Sequence, residues 1–274
     1  MSLPTHADPA ARGDLPASPR PGDSYVQSFA RGLEVIRSFS STAPRQTLSE
    51  VAVATGLTRA GARRILLTLE TLGYVESDGR LFALTPRILD LGFAYLSSMP
   101  MWNLAEPLME DLVEQVKESC SAAVLDGHEI VYVLRVPTHK IMKISLGVGS
   151  RLPACVTSLG RVLLAALPED EARRRIAASP RPALTPHTET DVDALMARVR
   201  EARSQGWCLL NQELEEGLVS IAAPVTDRAG RTVAAINVSG QINRTGVEAL
   251  QQEILPRLRA TADAISRRLQ ARGG

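Results

Sequence analysis

In "TRAGARRILLTLETLGYVESDGR", residues 58–80, Arg59, Arg63 and Arg64 fall within one stretch of helical periodicity. Arg59 and Arg63 are four residues apart, so on a helix they stack on the same side. A guanidinium carries a rigid fork of donors that fits the edge of guanine or a phosphate. Arg80, just past the Asp78-Gly79 pair, is placed for a backbone or minor-groove contact. Taken alone, an arginine run on a helix is most often a solvated face. The elements around it decide between the two readings.

The other chemically capable residues are scattered. Three cysteines (Cys120, Cys155, Cys208) and four histidines (His6, His128, His139, His187) form no CxxC or zinc-type spacing, which points to reduced thiols, a cytoplasmic location and no metal or cofactor. The chain contains no GxSxG, HExxH, P-loop or GxGxxG pattern. An enzymatic reading would need Cys155 or Ser158 as nucleophile with His139 as base, and a third group to orient them. No catalysis is therefore expected. Nor does any apolar run approach the ~20 residues of a membrane helix.

With 274 residues, 45% of them hydrophobic, the chain suffices for one large domain or two smaller ones. The net charge of +1 excludes a global basic field, so a nucleic-acid surface must be a local patch. Residues 1–23 carry Pro4, Pro9, Pro16, Pro19 and Pro21 without periodicity or a signal peptide's apolar core, and are expected to be a disordered tail. From Tyr25 the pattern sharpens. "SFARGLEVIRSFS" spaces Phe29, Leu33, Ile36 and Phe39 as a helix. "TAPR" breaks the chain, and "TLSEVAVATG" opens with a capping box, Thr47 to Glu50, and stops at Gly56. The next helix buries Ala62, Ile65, Leu66, Leu69 and Leu72 and ends at Gly73. Asp78-Gly79 suits a two-residue type I′ hairpin turn, and Thr85-Pro86 starts a further helix.

Short helix, glycine turn, longer helix and hairpin together predict a winged helix-turn-helix over 24–85, with a linker helix over 86–100. In that arrangement the third helix enters the major groove of operator DNA. The candidate DNA contacts are Arg31, Thr47, Thr58, Arg59, Ala60, Arg63, Arg64, Thr68 and Arg80. Residues 24–98 hold eight arginines and no lysine against six acids. This modest surplus predicts weak binding by a single copy and a gain from dimerisation. Ile88, Leu89, Leu91, Phe93, Tyr95 and Leu96 make the linker apolar on several sides, suited either to burial within one subunit or to a second chain.

Residues 101–272 read as a second domain. "EPLMEDLVEQVKES" is an amphipathic helix, and "CSAAVLD", "EIVYVLRV" and "IMKISLGV" follow as strands. "TSLGRVLLAAL" is a buried helix, and "PEDEARRRIAAS" and "DVDALMARVREARSQG" are surface helices. "WCLLNQ", "GLVSIAAPVTD" and "RTVAAINVSG" are three more strands, and a last helix runs from about 244 to 268. The class is α+β: a mostly antiparallel sheet flanked by helices, of sensor type.

Five segments in this order, "SFARGLEVI", "LSEVAVATGLTRAGARRILLTLETLGYV", "GSRLPACVTSLGRVLLAAL", "GWCLLNQELEEGLVSIAAPV" and "GRTVAAINVSG", resemble the IclR family of bacterial transcription regulators. The resemblance spans roughly residues 25 to 270. "DGHEIVYVLRVPTHKIM", "NQELEEGLVSIA" and "AAINVS" are most similar to the branch that controls protocatechuate and 4-hydroxybenzoate degradation. The resemblance implies a GAF-like effector-binding domain after the linker, homodimers often assembled as tetramers, and a small organic, aromatic acid as effector. It also implies that "RLPACVTSLGR" lines one pocket wall, through Leu152, Pro153, Cys155, Thr157, Ser158 and Gly160. Aligned on Gly206 and Gly217, Asn211, Ser220, Asn237 and Ser239 complete the implied pocket. The chain departs from the familiar pattern here: Asn211 stands where aspartate is common, Ser220 where a cysteine occurs and Asn237 where a serine occurs. Neutral amides suit an acid or phenol better than an aspartate does. Arg135 could clamp a carboxylate through two bonds or be an ordinary strand-surface arginine. His139 could donate to the ligand or sit in solvent, and Met142 could line the cavity or fill the core. Besides a DNA-binding switch, the residues leave open a protein-interaction module whose helix-turn-helix has lost DNA.

Overall fold

The computed structural model describes residues 25–98, 101–138 and 146–272. The expected tail, His139 and Met142 lie outside them. The chain divides between Ser98 and Met99 into two compact units.

In the first unit, α1 (Gln27–Ser38) leads through β1 (Arg45–Thr47) into α2 (Leu48–Thr55). The capping box forms: Thr47 Oγ1 accepts the Glu50 amide at 3.3 Å, and the Glu50 carboxylate accepts the Thr47 amide at 2.7 Å. Gly56 ends α2 at φ +64°, a left-handed conformation that residues with a Cβ avoid. Thr58 then caps α3 (Arg59–Thr71) by accepting the Gly61 amide. Strands β2 (Val75–Ser77) and β3 (Leu81–Leu84) form the wing. β1 pairs with the other side of β3, giving the order β1-β3-β2. The sequence reading missed β1, because "TAPR" dominates its local pattern. Tertiary bonding secures it instead: Gln46 is buried and its Nε2 donates to the Ser38 carbonyl at 3.0 Å.

Val35, Val51, Ala52, Ala62, Leu66, Leu69 and Val75 form this unit's core. Two helix faces differ from expectation. Leu72 is 51% exposed, because α3 ends there and Gly73 turns the chain at φ +78°. α1 buries Val35 and packs Ile36 and Phe39 on the core, leaving Phe29 and Leu33 exposed. The wing turn is not type I′, which needs positive φ at two residues. Only Gly79 has it, at +93°, while the Asp78 side chain accepts the Arg80 and Leu81 amides at 3.0 and 2.8 Å. Thr85-Pro86 starts the helical run as expected, first as a 3-10 turn (Pro86–Ile88) and then as α4 (Leu89–Ser98), but the Thr85 hydroxyl makes no cap bond and donates instead to the Gly73 carbonyl.

The second unit runs α5 (Met101–Val116), β4 (Ser119–Asp126), β5 (Glu129–Val136), β6 (Arg151–Pro153), α6 (Ser158–Ala165), α7 (Glu169–Ala178), α8 (Val192–Gln205), β7 (Cys208–Asn211), β8 (Leu218–Thr226) and β9 (Thr232–Gln241). Its last helix starts as α9 (Val247–Ala249), passes a π turn (Leu250–Ile254) and continues as α10 (Leu255–Arg272). The sheet order is β6-β5-β4-β9-β8-β7, antiparallel throughout. Of the strand expected over "IMKISLGV", residues 141–145 lie outside the described residues, and Leu146–Val148 form no strand. Gly149 at φ +86° and the Gly147–Ser150 turn break the extended run there, so the strand beside β5 is β6.

Helices α5 and α10 pack on one face of this sheet, and α6 packs on the other with α7 and α8 against it. All eight residues of α6 are buried. Close approach explains Gly160: a Cβ there would lie 2.1 Å from the carbonyl oxygen of Ala154, in the 3-10 turn that precedes α6.

Candidate functional site

The first unit places Arg59, Ala60, Arg63, Arg64 and Thr68 on the exposed side of α3, away from Ala62, Leu66 and Leu69. Among the described residues, the guanidinium groups of Arg59, Arg63 and Arg64 have no hydrogen-bond or ion-pair partner. Exposed cations without a partner can turn toward a phosphate or a base edge without breaking an existing bond, at the cost only of their own freedom and hydration. The hydroxyls of Thr47 and Thr58 are engaged as caps, and that of Thr68 donates to the Arg64 carbonyl at 2.8 Å. Arg31 is exposed on α1, and Arg80 is exposed just past the wing turn. The wing is braced by an Arg45–Asp78 ion pair at 2.7 Å. The Asp78 carboxyl is held below the usual range by the amides of Leu81 and Arg80, and Glu50 by the Thr47 amide.

In the second unit a cavity lies between α6 and the sheet. Ser121, Tyr132, Arg135, Leu146, Thr157, Ser158, Leu210, Leu214, Leu218, Ser220, Asn237 and Ser239 line it. Strand pairing explains how residues so distant in sequence meet. Arg135 opposes Ser121, Ser121 opposes Asn237, and Ser239 opposes Ser220, which opposes Leu210. All therefore point to one side of the sheet. Tyr132 and Arg135 are three apart and would face opposite ways on a regular strand. A β-bulge between Ala122 and Ala123 of β4 shifts the register, so that Arg135 opposes Ser121 while Tyr132 opposes Ala123, and both side chains reach the cavity side.

The polar groups of the lining are partly satisfied by one another. Ser158 and Ser220 hydroxyls are 2.9 Å apart, linking α6 to β8. Arg135 Nη1 donates to Ser121 Oγ at 3.4 Å, and Asn237 Nδ2 donates to Ser239 Oγ at 2.9 Å. Asn237 Oδ1 is buried and accepts no hydrogen bond from the described residues, a condition native interiors rarely leave standing. Burial pushes the Tyr132 phenol up to about 12, with Arg135 pulling the other way, so it remains a neutral donor at ordinary pH. The free volume is about 20 Å³, room for about one water.

Six of the residues anticipated from sequence come together here: Arg135, Thr157, Ser158, Ser220, Asn237 and Ser239. Five do not. Leu152 and Pro153 belong to the edge strand β6, paired with Ile130 and Glu129. Cys155 is buried beside Ser179, its Sγ 3.8 Å from the Ser179 hydroxyl, and burial pushes its thiol up. Gly160 is sealed against the Ala154 backbone. Asn211 is exposed and lies on a separate groove outside β7, one residue out of phase with Leu210. Sequence reasoning missed Ser121, Tyr132, Leu146, Leu210, Leu214 and Leu218. Ser121 and Leu210 share strand parity with the anticipated residues once the register is known, and Tyr132 does so only through the bulge. Of the nucleophiles in the enzymatic alternative, Cys155 is a buried thiol that burial pushes up, and Ser158 bonds Ser220; its base, His139, lies outside the described residues.

An exposed arginine face on the third helix of a winged helix-turn-helix, with a partly polar cavity in a separate α+β unit, defines a ligand-responsive DNA-binding regulator. Two family models match the chain, the IclR helix-turn-helix domain over residues 28–79 and the bacterial transcriptional regulator IclR C-terminal domain over residues 93–267. The chain belongs to the IclR family of bacterial transcriptional regulators. It is 40% identical over 264 residues to the Pca regulon regulatory protein of Pseudomonas putida, covering 96% of this chain and 89% of that one. A crystal structure of a protein from Rhodococcus sp. RHA1 superposes with a TM-score of 0.81 at 50% identity, covering 89% of this chain and 98% of that one. An IclR homologue from Microbacterium hydrocarbonoxydans, solved in complex with 4-hydroxybenzoate, has a TM-score of 0.78 at 26% identity, covering 89% and 99%. Among the described residues no helix is long and apolar enough to cross a membrane.

Proposed function

We propose that this chain acts as a homodimer that binds operator DNA through α3 and the wing, and that a small hydroxylated aromatic acid in the α6–sheet cavity sets its DNA affinity. The observation that carries the ligand class is the buried, unpartnered Asn237 Oδ1 on the same sheet face as Arg135. A ring hydroxyl would donate to that oxygen, and a carboxylate would pair with Arg135. Leu210, Leu214 and Leu218 supply the apolar cover for a ring. The 4-hydroxybenzoate in the Microbacterium homologue supports this reading.

Arg59 and Arg63 read bases or clamp phosphates, Arg64, Ala60 and Thr68 flank them, and Arg31, Thr47, Thr58 and Arg80 contact the backbone. Dimerisation has a candidate surface in the first unit: Phe29 and Leu33 on α1, and Leu89, Leu91, Phe93 and Tyr95 on α4, are exposed apolar side chains. The working boundaries are 24–85 for the DNA-binding domain, 86–100 for the linker and 101–272 for the effector domain, and the site of action is the cytoplasm.

For the acid to act as a switch it must bind one form of the effector domain better than another. About 1–3 kcal/mol of coupling suffices, and operator DNA must change affinity for the acid by the same factor. Calorimetry against protocatechuate, 4-hydroxybenzoate, catechol and β-ketoadipate tests the ligand class, and gel shift of the promoter region beside the gene, with and without each acid, tests the coupling. Heat from an aromatic acid and a changed shift are expected. No heat from any of them sinks the effector reading. No retained DNA at low salt favours an interaction module over a regulator.

A further inference from the structure

Among the described residues Arg161 is the largest fully buried side chain, 1% exposed on α6. Its Nε donates to the Cys155 carbonyl at 2.8 Å, and its two terminal nitrogens donate to the two Glu213 carboxylate oxygens, Nη1 to Oε1 at 2.7 Å. Glu213 lies in the loop between β7 and β8, where Gln212 adopts φ +59° and bonds the Gly217 amide through its own side chain at 3.0 Å. One residue on, Leu214 lines the cavity, as do Leu210 before it and Leu218 after it. One helical turn before Arg161, Thr157 and Ser158 line the same cavity from the other side. Neither Arg161 nor Glu213 lines the cavity; both face the outer groove along β7. The pair therefore ties the helix on one side of the cavity to the loop on the other.

Stability alone is a weak reason for such a pair. Two buried charges regain little more than their desolvation cost, and well-packed apolar residues of similar volume often do as well. What apolar residues lack is direction: a bidentate fork fixes distance and angle in a way a methyl contact does not. From this we infer that Arg161 and Glu213 are positioning residues that hold Leu214 against α6, and thereby set which ring substituents the cavity accepts. The inference rests on the effector reading above and deepens it. The pair acts through the loop and does not touch the ligand.

The test compares the intact chain with Glu213→Asp, which keeps the charges and shortens the reach by one methylene, and with the apolar double variant Arg161→Met/Glu213→Met. Each is titrated by calorimetry with benzoate, 4-hydroxybenzoate and protocatechuate, and its Tm is measured without ligand. Both variants are expected to fold, with the preferred acid weakened about tenfold relative to benzoate, and with operator binding in the absence of acid unchanged. A merely structural pair would lower Tm or weaken all three acids equally, and either result in both variants overturns the inference. So does wild-type discrimination in Glu213→Asp, which decides the matter if the double variant does not fold. If the intact chain binds none of the acids, the effector reading falls first and the pair's ligand role falls with it, an outcome distinct from unchanged binding in the variants.

Discussion

The two units build their candidate sites in opposite ways. In the first, the candidate contacts sit mainly on one helix, a few residues apart and exposed, and among the described residues its arginines have no partner. In the second, they come from five strands, the segment before β6, the β7–β8 loop and the start of α6, spread from Ser121 to Ser239, and are buried or half-buried with their polar groups mostly bonded to one another. An exposed site on one helix needs only that helix to be oriented. A buried site assembled across a sheet needs every register to be right, and a residue's role then depends on neighbours more than a hundred positions away. A surface for a large polyanion can remain open, whereas the wall of the cavity is built from polar groups that also bond one another.

Four experiments would break or sharpen this contrast. The largest effect is expected from Gly160→Ala. The added Cβ meets the Ala154 backbone, and relief requires α6 to shift, at a cost of about 3 kcal/mol or more. Thermal unfolding should show the second unit melting earlier while α3 retains its DNA affinity; an unchanged Tm would mean that α6 has slack. Next, Arg59→Ala/Arg63→Ala should weaken specific operator binding about a hundredfold, from about 1–3 kcal/mol per lost contact, with acid affinity intact. An unchanged footprint would remove the α3 face from recognition.

The third, Asn237→Leu, should cost the acid about tenfold in affinity through a lost hydrogen bond, and leave operator binding without acid unaltered. Undiminished heats in calorimetry would take Asn237 out of the pocket. The smallest effect is expected from Thr47→Ala, about 1 kcal/mol from a lost helix cap, confined to the first unit. Acid titration extends it. Glu50 and Asp78 carboxyls are both lowered by backbone amide bonds, so the folded state binds fewer protons than the unfolded one. The stability they contribute is present above the ordinary carboxylate range and fades as pH falls through their lowered values. The protection factors of the Leu81 and Thr47 amides, which these carboxylates accept, should fall in that acid window; equal protection across it would count against these caps.

The helix-turn-helix was legible because its signals are local. Thr47 with Glu50, Gly56, Thr58 and Gly73 each act within a turn or two of their own position, and the structure uses all of them. Where sequence reading failed in this unit, tertiary bonding had intervened. Gln46 is held by Ser38, Asp78 reshapes the turn it begins, and Leu72 falls just past the last core-facing turn. In the second unit the strands and helices were largely visible in the pattern, and so was the Ser220, Asn237 and Ser239 group, through resemblance and strand parity. Leu152, Pro153, Cys155, Gly160 and Asn211, assigned to the pocket by resemblance, fall outside this cavity lining because strand pairing and the packing of α6 turn them elsewhere.

Sequence by itself determined the order of elements, the caps and glycines that bound α2 and α3, and the arginine face of α3. These follow from backbone sterics and from periodicities of a few residues. Only the tertiary structure decided that a bulge in the β4–β5 pair turns Tyr132 and Arg135 to the same side, that Gly160 must be a glycine, and that Arg161 reaches Glu213. Those outcomes depend on strand register and on helix-to-sheet distance, which distant segments fix jointly when they pack.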